Sequence, residues 1–284
     1  MPWCGTLPHE QESDVADCIT HGITHGITHD IAIVIAMNPP FPHHVPMSRP
    51  RFFLDSGPAA ENALVPLDAE AARHLRALRL APGAALEVVL GDQPWTADLA
   101  ELDRGRALAR LVAPLHEDRE AAIPLQACLP LPAQLSLFDE WLPPLVELGV
   151  TLIQPVVYAR SEFDPAKTAA RLERWSRLIQ SACEQSHRSR RPELRPPMSF
   201  EGLLTWAAPQ KWVAYELATG QANPALRREP LALTSGPEGG ITEAEYAALA
   251  AAGWQPVSLG RSILRAVTAP VALLGAVQFE LGRG

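Results

Sequence analysis

The chain has 284 residues, longer than one average domain, and its 47% hydrophobic and 20% charged composition suits a globular protein able to bury a sizeable core. Its longest apolar run, residues 31–37, is far shorter than the roughly 18 residues of a membrane span, and the stretch before it carries Glu10, Glu12, Asp14 and Asp17 without the basic start of a secretory signal. Four scattered cysteines with no CxxC spacing fit neither a zinc ribbon nor a disulfide framework, which points to a reducing cytoplasm, and the net charge of −8 argues on its face against a nucleic-acid partner.

That charge is unevenly spread. Residues 1–46 hold five acidic residues and no Lys or Arg, which leaves a net of −3 on residues 47–284, where every cation except Lys167 and Lys211 is an arginine. Arginine makes planar, bidentate contacts with phosphate and stacks on bases. The first 46 residues also hold the repeat Ile19-Thr-His-Gly-Ile-Thr-His-Gly-Ile-Thr-His29. His21, His25 and His29 would share one helix face, but Gly22, Gly26 and the β-branched residues between them are poor helix formers, and no carboxylate or cysteine completes a metal site. A Pro-rich stretch follows at 38–46, and folded patterning begins at Met47. Residues 1–46 are therefore expected to be a disordered extension, and no metal site is expected.

Residues 47–118 predict a small β-rich unit with strands at 51–54, 86–90, 95–99 and 107–112 around one helix at 68–80. Arg73, Arg76 and Arg79 recur along that helix beside His74. The stripe reads equally as a solvated face and as a phosphate-facing one. From 122 onward, strands at 125–129, 152–157, 212–216, 231–234 and 255–258 alternate with helices at 136–148, 166–186, 242–251 and 269–279, the pattern of an α/β parallel sheet covered by helices. Pro143 and Pro144 fall inside the first of these helices, where each removes an N–H donor, and are expected to break or kink it.

The segment richest in chemistry is Leu231-Ala-Leu-Thr-Ser-Gly-Pro-Glu-Gly-Gly-Ile-Thr-Glu-Ala-Glu245: an apolar strand, a glycine loop, then a helix with Thr242 as N-cap and Glu245 at the capping-box position. In open α/β sheets ligands bind beyond the carboxyl ends of strands, where this loop would sit. A second loop, Ser258-Leu-Gly260, precedes Arg261-Ser-Ile-Leu-Arg265. Neither matches a dinucleotide-binding or P-loop fingerprint.

Gly236-Pro-Glu-Gly-Gly240, Ser258-Leu-Gly260 and Ile263-Leu-Arg265 with Thr268-Ala269 resemble the C-terminal signature of the bacterial 16S ribosomal RNA uridine-N3 methyltransferases, the RsmE family of the SPOUT class. Pro50-Arg-Phe-Phe53, His74-Leu-Arg-Ala-Leu-Arg79 with Gly83, Glu147-Leu-Gly-Val150, Arg160-Ser161 and Ala182-Cys-Glu-Gln-Ser186 with Arg188 extend the likeness over roughly residues 47–280. The resemblance implies a PUA-like RNA-binding β-barrel over 47–118 and a SPOUT domain with a trefoil knot over 122–284. It further implies S-adenosylmethionine as cofactor, a homodimer, and 16S ribosomal RNA or the small subunit as partner. Cofactor binding then falls to Thr234, Gly236, Pro237, Gly239, Gly240, Ser258, Leu259, Gly260, Ile263 and Leu264. Arg265 is assigned to stabilising charge developing on uridine or to holding phosphate, and Glu238 to accepting the N3 proton or ordering the loop. The RNA contacts would be Arg51, His74, Arg76, Arg79, Arg160, Glu184, Gln185, Ser186 and Arg188.

The chain departs from the family pattern at several places. Ser262 stands where an arginine is usual, Ala266-Val267 where Thr-Glu is usual, Pro144 where a lysine is common, and His187 and Ser189 where Gly and Asn are usual. These departures support an alternative: a SPOUT-fold RNA-binding or ribosome-assembly protein with weakened or lost catalysis.

Overall fold

The computed structural model describes residues 49–116, 119–161, 164–218 and 222–282. The expected extension over 1–46 and its histidine repeat lie outside these residues. Those described belong to one compact unit, Arg49–Gly284, built on two sheets.

The first sheet comprises β1 (Arg51–Leu54), β2 (Leu64–Leu67), β3 (Ala85–Leu90), β4 (Gln93–Leu102) and β5 (Ala107–Pro114) in the order β1-β3-β4-β5-β2. β2 was not among the predicted strands, because it has only four residues and contains Pro66; at the sheet edge the missing N–H is tolerated. Gly91 and Asp92 close the β3–β4 hairpin, with Gly91 at φ 59°, the left-handed conformation such a turn requires. α1 (Ala69–Ala77) follows β2, capped by Asp68 Oδ1, which accepts from the Ala71 N–H at 2.7 Å. The helix is shorter than predicted and the chain leaves it through Arg79 at φ 57°. Ala72 and Leu75 close the core over Val65, Leu86, Val88 and Leu111.

The second sheet is wholly parallel: β6 (Leu125–Pro130), β7 (Leu152–Val157), β8 (Glu193–Leu194), β10 (Gln210–Ala214), β11 (Leu231–Ser235) and β12 (Gln255–Val257) run in the order β12-β10-β11-β6-β7-β8, and β9 (Met198–Ser199) also pairs with β7. The α/β parallel class expected from the sequence is therefore present. All five residues of β11 are buried, as a central strand covered on both faces requires. Leu231 and Leu233 join the core formed with α2 (Leu135–Glu147), α3 (Pro165–Ser186) and α6 (Thr268–Leu281). Ala232 joins the opposite core, which includes Leu203 of α4 (Phe200–Leu204) and Leu249 of α5 (Glu243–Ala251).

α2 overturns the expectation of a break. It runs uninterrupted through Pro143 and Pro144. Interior proline costs about 3 kcal/mol, but here Phe138, Trp141, Leu142, Leu145 and Val146 are all buried, so packing offsets the lost backbone bonds. Asp139 adds an anchor, accepting from Trp175 Nε1 and Arg174 Nε, each at 2.8 Å.

Two arginines assigned above to RNA instead hold this scaffold together. Arg188 is buried: its Nη2 meets Glu120 Oε2 at 2.5 Å, and Nη1 donates to the carbonyls of Val146 and Val150 at 3.0 and 2.7 Å. Arg51, also buried, pairs with Glu87 at 2.8 Å and donates from Nη1 to the His187 carbonyl and to Ser189 Oγ. His187 Nδ1 lies 2.9 Å from the same Glu87 carboxylate. Burial alone would push Glu87 up, but the hydrogen bonds from His187 and Arg51 hold it below the ordinary glutamate value. Neither guanidinium is available to an RNA phosphate, so both expectations are corrected. His187 also ends α3 at φ 56°, a left-handed position where glycine is the usual occupant.

Candidate active site

β11 delivers the chain to the glycine loop at its carboxyl end. Gly236 is required there by close approach, since a Cβ would lie 2.9 Å from Ile241 Cγ1 and 3.1 Å from the Ile241 backbone nitrogen. Gly240 closes the loop at φ 74°, its N–H donating to the Pro237 carbonyl at 2.8 Å. The predicted capping box then starts α5: Thr242 Oγ1 accepts from the Glu245 N–H while Glu245 Oε2 accepts from the Thr242 N–H at 2.8 Å. The other oxygen, Oε1, accepts from the Ala159 N–H at 2.9 Å and so ties the loop to the end of β7. Arg160 lies across the loop and donates to the Gly239 carbonyl.

This loop walls a cavity of about 660 Å³. The second loop contributes Leu259 and Gly260, followed by Ser262, Ile263, Leu264, Arg265, Ala266 and Val267. Of the residues expected to hold a cofactor, Gly236, Pro237, Gly239, Gly240, Leu259, Gly260, Ile263 and Leu264 line it. Thr234 and Ser258 do not. Thr234 Oγ1 donates to the Cys128 carbonyl at 2.6 Å and lies 2.9 Å from the Tyr158 hydroxyl, within the sheet. Ser258 is held by Asn223, whose Oδ1 accepts from its N–H and whose Nδ2 donates to its carbonyl. Arg265 and Glu238, the assigned catalytic pair, both line the cavity and are exposed.

Sequence reasoning missed Glu140 on α2 and Tyr215 and Glu216 just beyond β10, all of which line the same cavity. The end-of-strand rule that located the glycine loop applied equally to Tyr215 and Glu216. Glu140 left no local signal. With Glu238 these make three carboxylates against one guanidinium, Arg265, a balance that favours a cationic ligand. Beside Gly236, Ser235 Oγ is buried and has no hydrogen-bond partner among the described residues. S-adenosylmethionine, a sulfonium with a nucleoside moiety, suits this donor set: closely approachable backbone, excess carboxylate, and a volume within the 300–1,000 Å³ range of small-molecule sites. Among the described residues no group of three His, Cys, Asp or Glu side chains is placed to hold a metal.

The other expected RNA contacts are scattered. His74 and Glu184 meet in a separate cleft between α1 and α3. Arg76 donates to the Asp103 carbonyl and Arg79 is exposed at the end of α1. Gln185 is exposed on α3, whereas Ser186 Oγ bonds back to the Ala182 carbonyl at 2.7 Å.

A parallel sheet with glycine loops at its carboxyl edge around a carboxylate-rich cavity defines the class: the RNA methyltransferase domain, whose family model matches residues 119–278. The chain is 35% identical over 211 residues to the ribosomal RNA small subunit methyltransferase E of Synechocystis sp., covering 71% of this chain and 68% of that protein. It is 30% identical over 203 residues to the Bacillus subtilis protein of the same name, covering 66% and 78%. The crystal structure of a ribosomal RNA small subunit methyltransferase E from Neisseria gonorrhoeae bound to S-adenosyl methionine superposes with a TM-score of 0.73 at 31% identity, over 82% of this chain and 98% of that one. The chain belongs to the ribosomal RNA small subunit methyltransferase E family.

Proposed function

We propose that this protein methylates small-subunit 16S ribosomal RNA at N3 of a uridine, using S-adenosylmethionine. The observation that carries this reading is the cavity of about 660 Å³ between the two glycine loops, with Arg265 and Glu238 lining it. S-adenosylmethionine supplies an already activated methyl group, so the work left to the chain is alignment and charge control. Gly236, Gly239 and Gly260 let backbone approach the ligand closely, and Glu140 and Glu216 favour its positive charge. Uridine N3 becomes nucleophilic only as its proton leaves. Glu238 is the carboxylate assigned to take that proton or to order the loop, and Arg265 the cation assigned to the anion that results or to an adjoining phosphate.

In the same reading, residues 47–118 form a PUA-like barrel that binds RNA and residues 122–284 a SPOUT domain. Its trefoil knot would be formed by the loops around residues 234–240, 258–260 and 263–265. The placement of β12 beside β10, away from β11, supports this threading, as does the return of α6 against β11 and β10. The protein would act as a cytoplasmic homodimer, and no described helix is long and apolar enough to cross a membrane.

The direct test is to titrate S-adenosylmethionine, then offer small-subunit particles and naked 16S RNA and map the methylated base. Transfer to a uridine N3 is the expected result; transfer to another atom overturns that assignment. Ser262 and Val267 line the cavity without supplying charge, which favours the second reading, an RNA-binding assembly protein with weakened catalysis. Tight cofactor binding without transfer to either RNA form would support it.

The loop geometry yields a separate expectation. Gly236→Ala forces a Cβ against the Ile241 side chain and backbone, and overpacking of this kind costs about 1–3 kcal/mol. Because the loop must shift away from the ligand, affinity for S-adenosylmethionine should fall about tenfold or more by calorimetric titration. An unchanged affinity would mean the loop does not touch the cofactor.

A further inference from the structure

The cleft between α1 and α3 is distinct from the methyl-transfer cavity and has a volume of about 310 Å³, at the small end of ligand sites. Phe52 and Phe53 of β1 line it, with Asp68, Glu70 and His74 on the α1 side and Arg177, Gln180 and Glu184 on the α3 side. The size suits a single heterocycle. The His74 ring stands edge to face with Phe52, centroids 6.0 Å apart, giving an aromatic wall.

The polar groups discriminate further. Glu184 Oε1 accepts from Gln180 Nε2 at 3.1 Å, and the Phe53 backbone also hydrogen-bonds this carboxylate. A carboxylate has about four acceptor sites, so capacity remains for a ligand. Burial pushes the Glu184 carboxyl above the ordinary glutamate value against the opposing hydrogen bonds from Gln180 and the Phe53 backbone, with Asp68 and Glu70 adding a smaller upward push. An acid-lined recess of this kind rejects phosphate and favours a partner presenting hydrogen-bond donors. Arg177 at the cleft mouth meanwhile supplies a cation for a backbone running past it.

We propose that this cleft seats one unpaired guanine of the RNA substrate, with the Glu184 carboxylate accepting from the guanine N1–H and N2 amino group. Of the four RNA bases, guanine alone presents two adjacent donors on its Watson–Crick edge. Unpaired RNA bases are recognised in this way, by stacking combined with contacts to that edge. The cleft would thus anchor the strand at a second point while another nucleotide enters the methyl-transfer site. The inference rests on the reading of the protein as an RNA methyltransferase.

The test uses the full chain and uridine oligonucleotides carrying one central guanosine, inosine, adenosine or cytidine, with binding followed by fluorescence anisotropy. Wild type should prefer guanosine over adenosine about tenfold, the discrimination typical of a bidentate base contact, and inosine should fall between them because it lacks the N2 amino group. Glu184→Gln, which replaces one acceptor by a donor, should abolish the preference while leaving S-adenosylmethionine affinity unchanged. A wild type that binds all four oligonucleotides equally overturns the proposal, independently of any variant. So does a guanosine preference that survives in Glu184→Gln, or tighter binding of an arginine peptide than of RNA. Methyl transfer to small-subunit RNA without guanosine preference removes only the cleft assignment. A guanosine preference without methyl transfer leaves the cleft standing and removes the catalytic reading.

Discussion

Arg265→Ala should reduce methyl transfer to small-subunit RNA by about 10²–10³-fold, the loss typical when one preorganised electrostatic contact to developing charge is removed. Arg265 supplies the sole positive charge among the described residues lining the cavity, and its backbone is fixed because its carbonyl accepts from the N–H groups of Thr268 and Ala269 at the start of α6. Neighbouring Ser262 provides no second cation. Single-turnover rates and RNA affinity, measured together, separate the two roles open to this arginine. A fall in the chemical step with unchanged affinity identifies charge stabilisation at the base, whereas a loss confined to affinity identifies a phosphate contact. A rate within threefold of wild type with affinity intact would remove Arg265 from both.

The second large effect concerns stability. Arg188→Met keeps much of the side-chain volume but leaves the Glu120 carboxylate, with 9% of its side chain exposed, without its buried guanidinium partner. Removing one member of a buried pair costs about 3–5 kcal/mol. Glu120 also accepts from the Ser189 and Arg190 N–H groups, so the loss would loosen the turn that follows α3 as well. Urea unfolding should show the full destabilisation in Arg188→Met and a partial recovery when Glu120→Gln is added, since the second change removes the charge that the guanidinium had balanced. A destabilisation below about 1 kcal/mol would place the pair among solvent-screened surface contacts instead.

These two arginines also mark what the sequence could and could not convey. The central strands were legible nearly to their ends because burial on both faces writes a continuous apolar run, as in β7 and β11. The glycine loop was legible because its backbone geometry restricts residue type, as the contact at Gly236 illustrates. Short edge elements such as β2 and β8 carry too few residues to establish a period. Continuity of α2 through two prolines depends on tertiary packing that local propensity does not encode. The family resemblance made Arg51 and Arg188 RNA contacts, but their carboxylate partners lie 36 and 68 positions away in the chain, and burial follows from that distant pairing. Glu140 entered the site in the same way, from a helix about a hundred residues before the motif it faces.

The joint around Glu87 has a consequence for how the molecule melts. Arg51 and Glu87 belong to the first sheet, while His187 and Ser189 follow α3 of the second, and Phe53 of β1 packs against the core of the second sheet. Opening either sheet would therefore strip a buried ion pair of its partners and uncover apolar surface belonging to the other. Neither half has a melting temperature of its own under such coupling. Heating should yield one calorimetric peak whose van't Hoff and calorimetric enthalpies agree, the signature of a single cooperative foldon spanning both sheets.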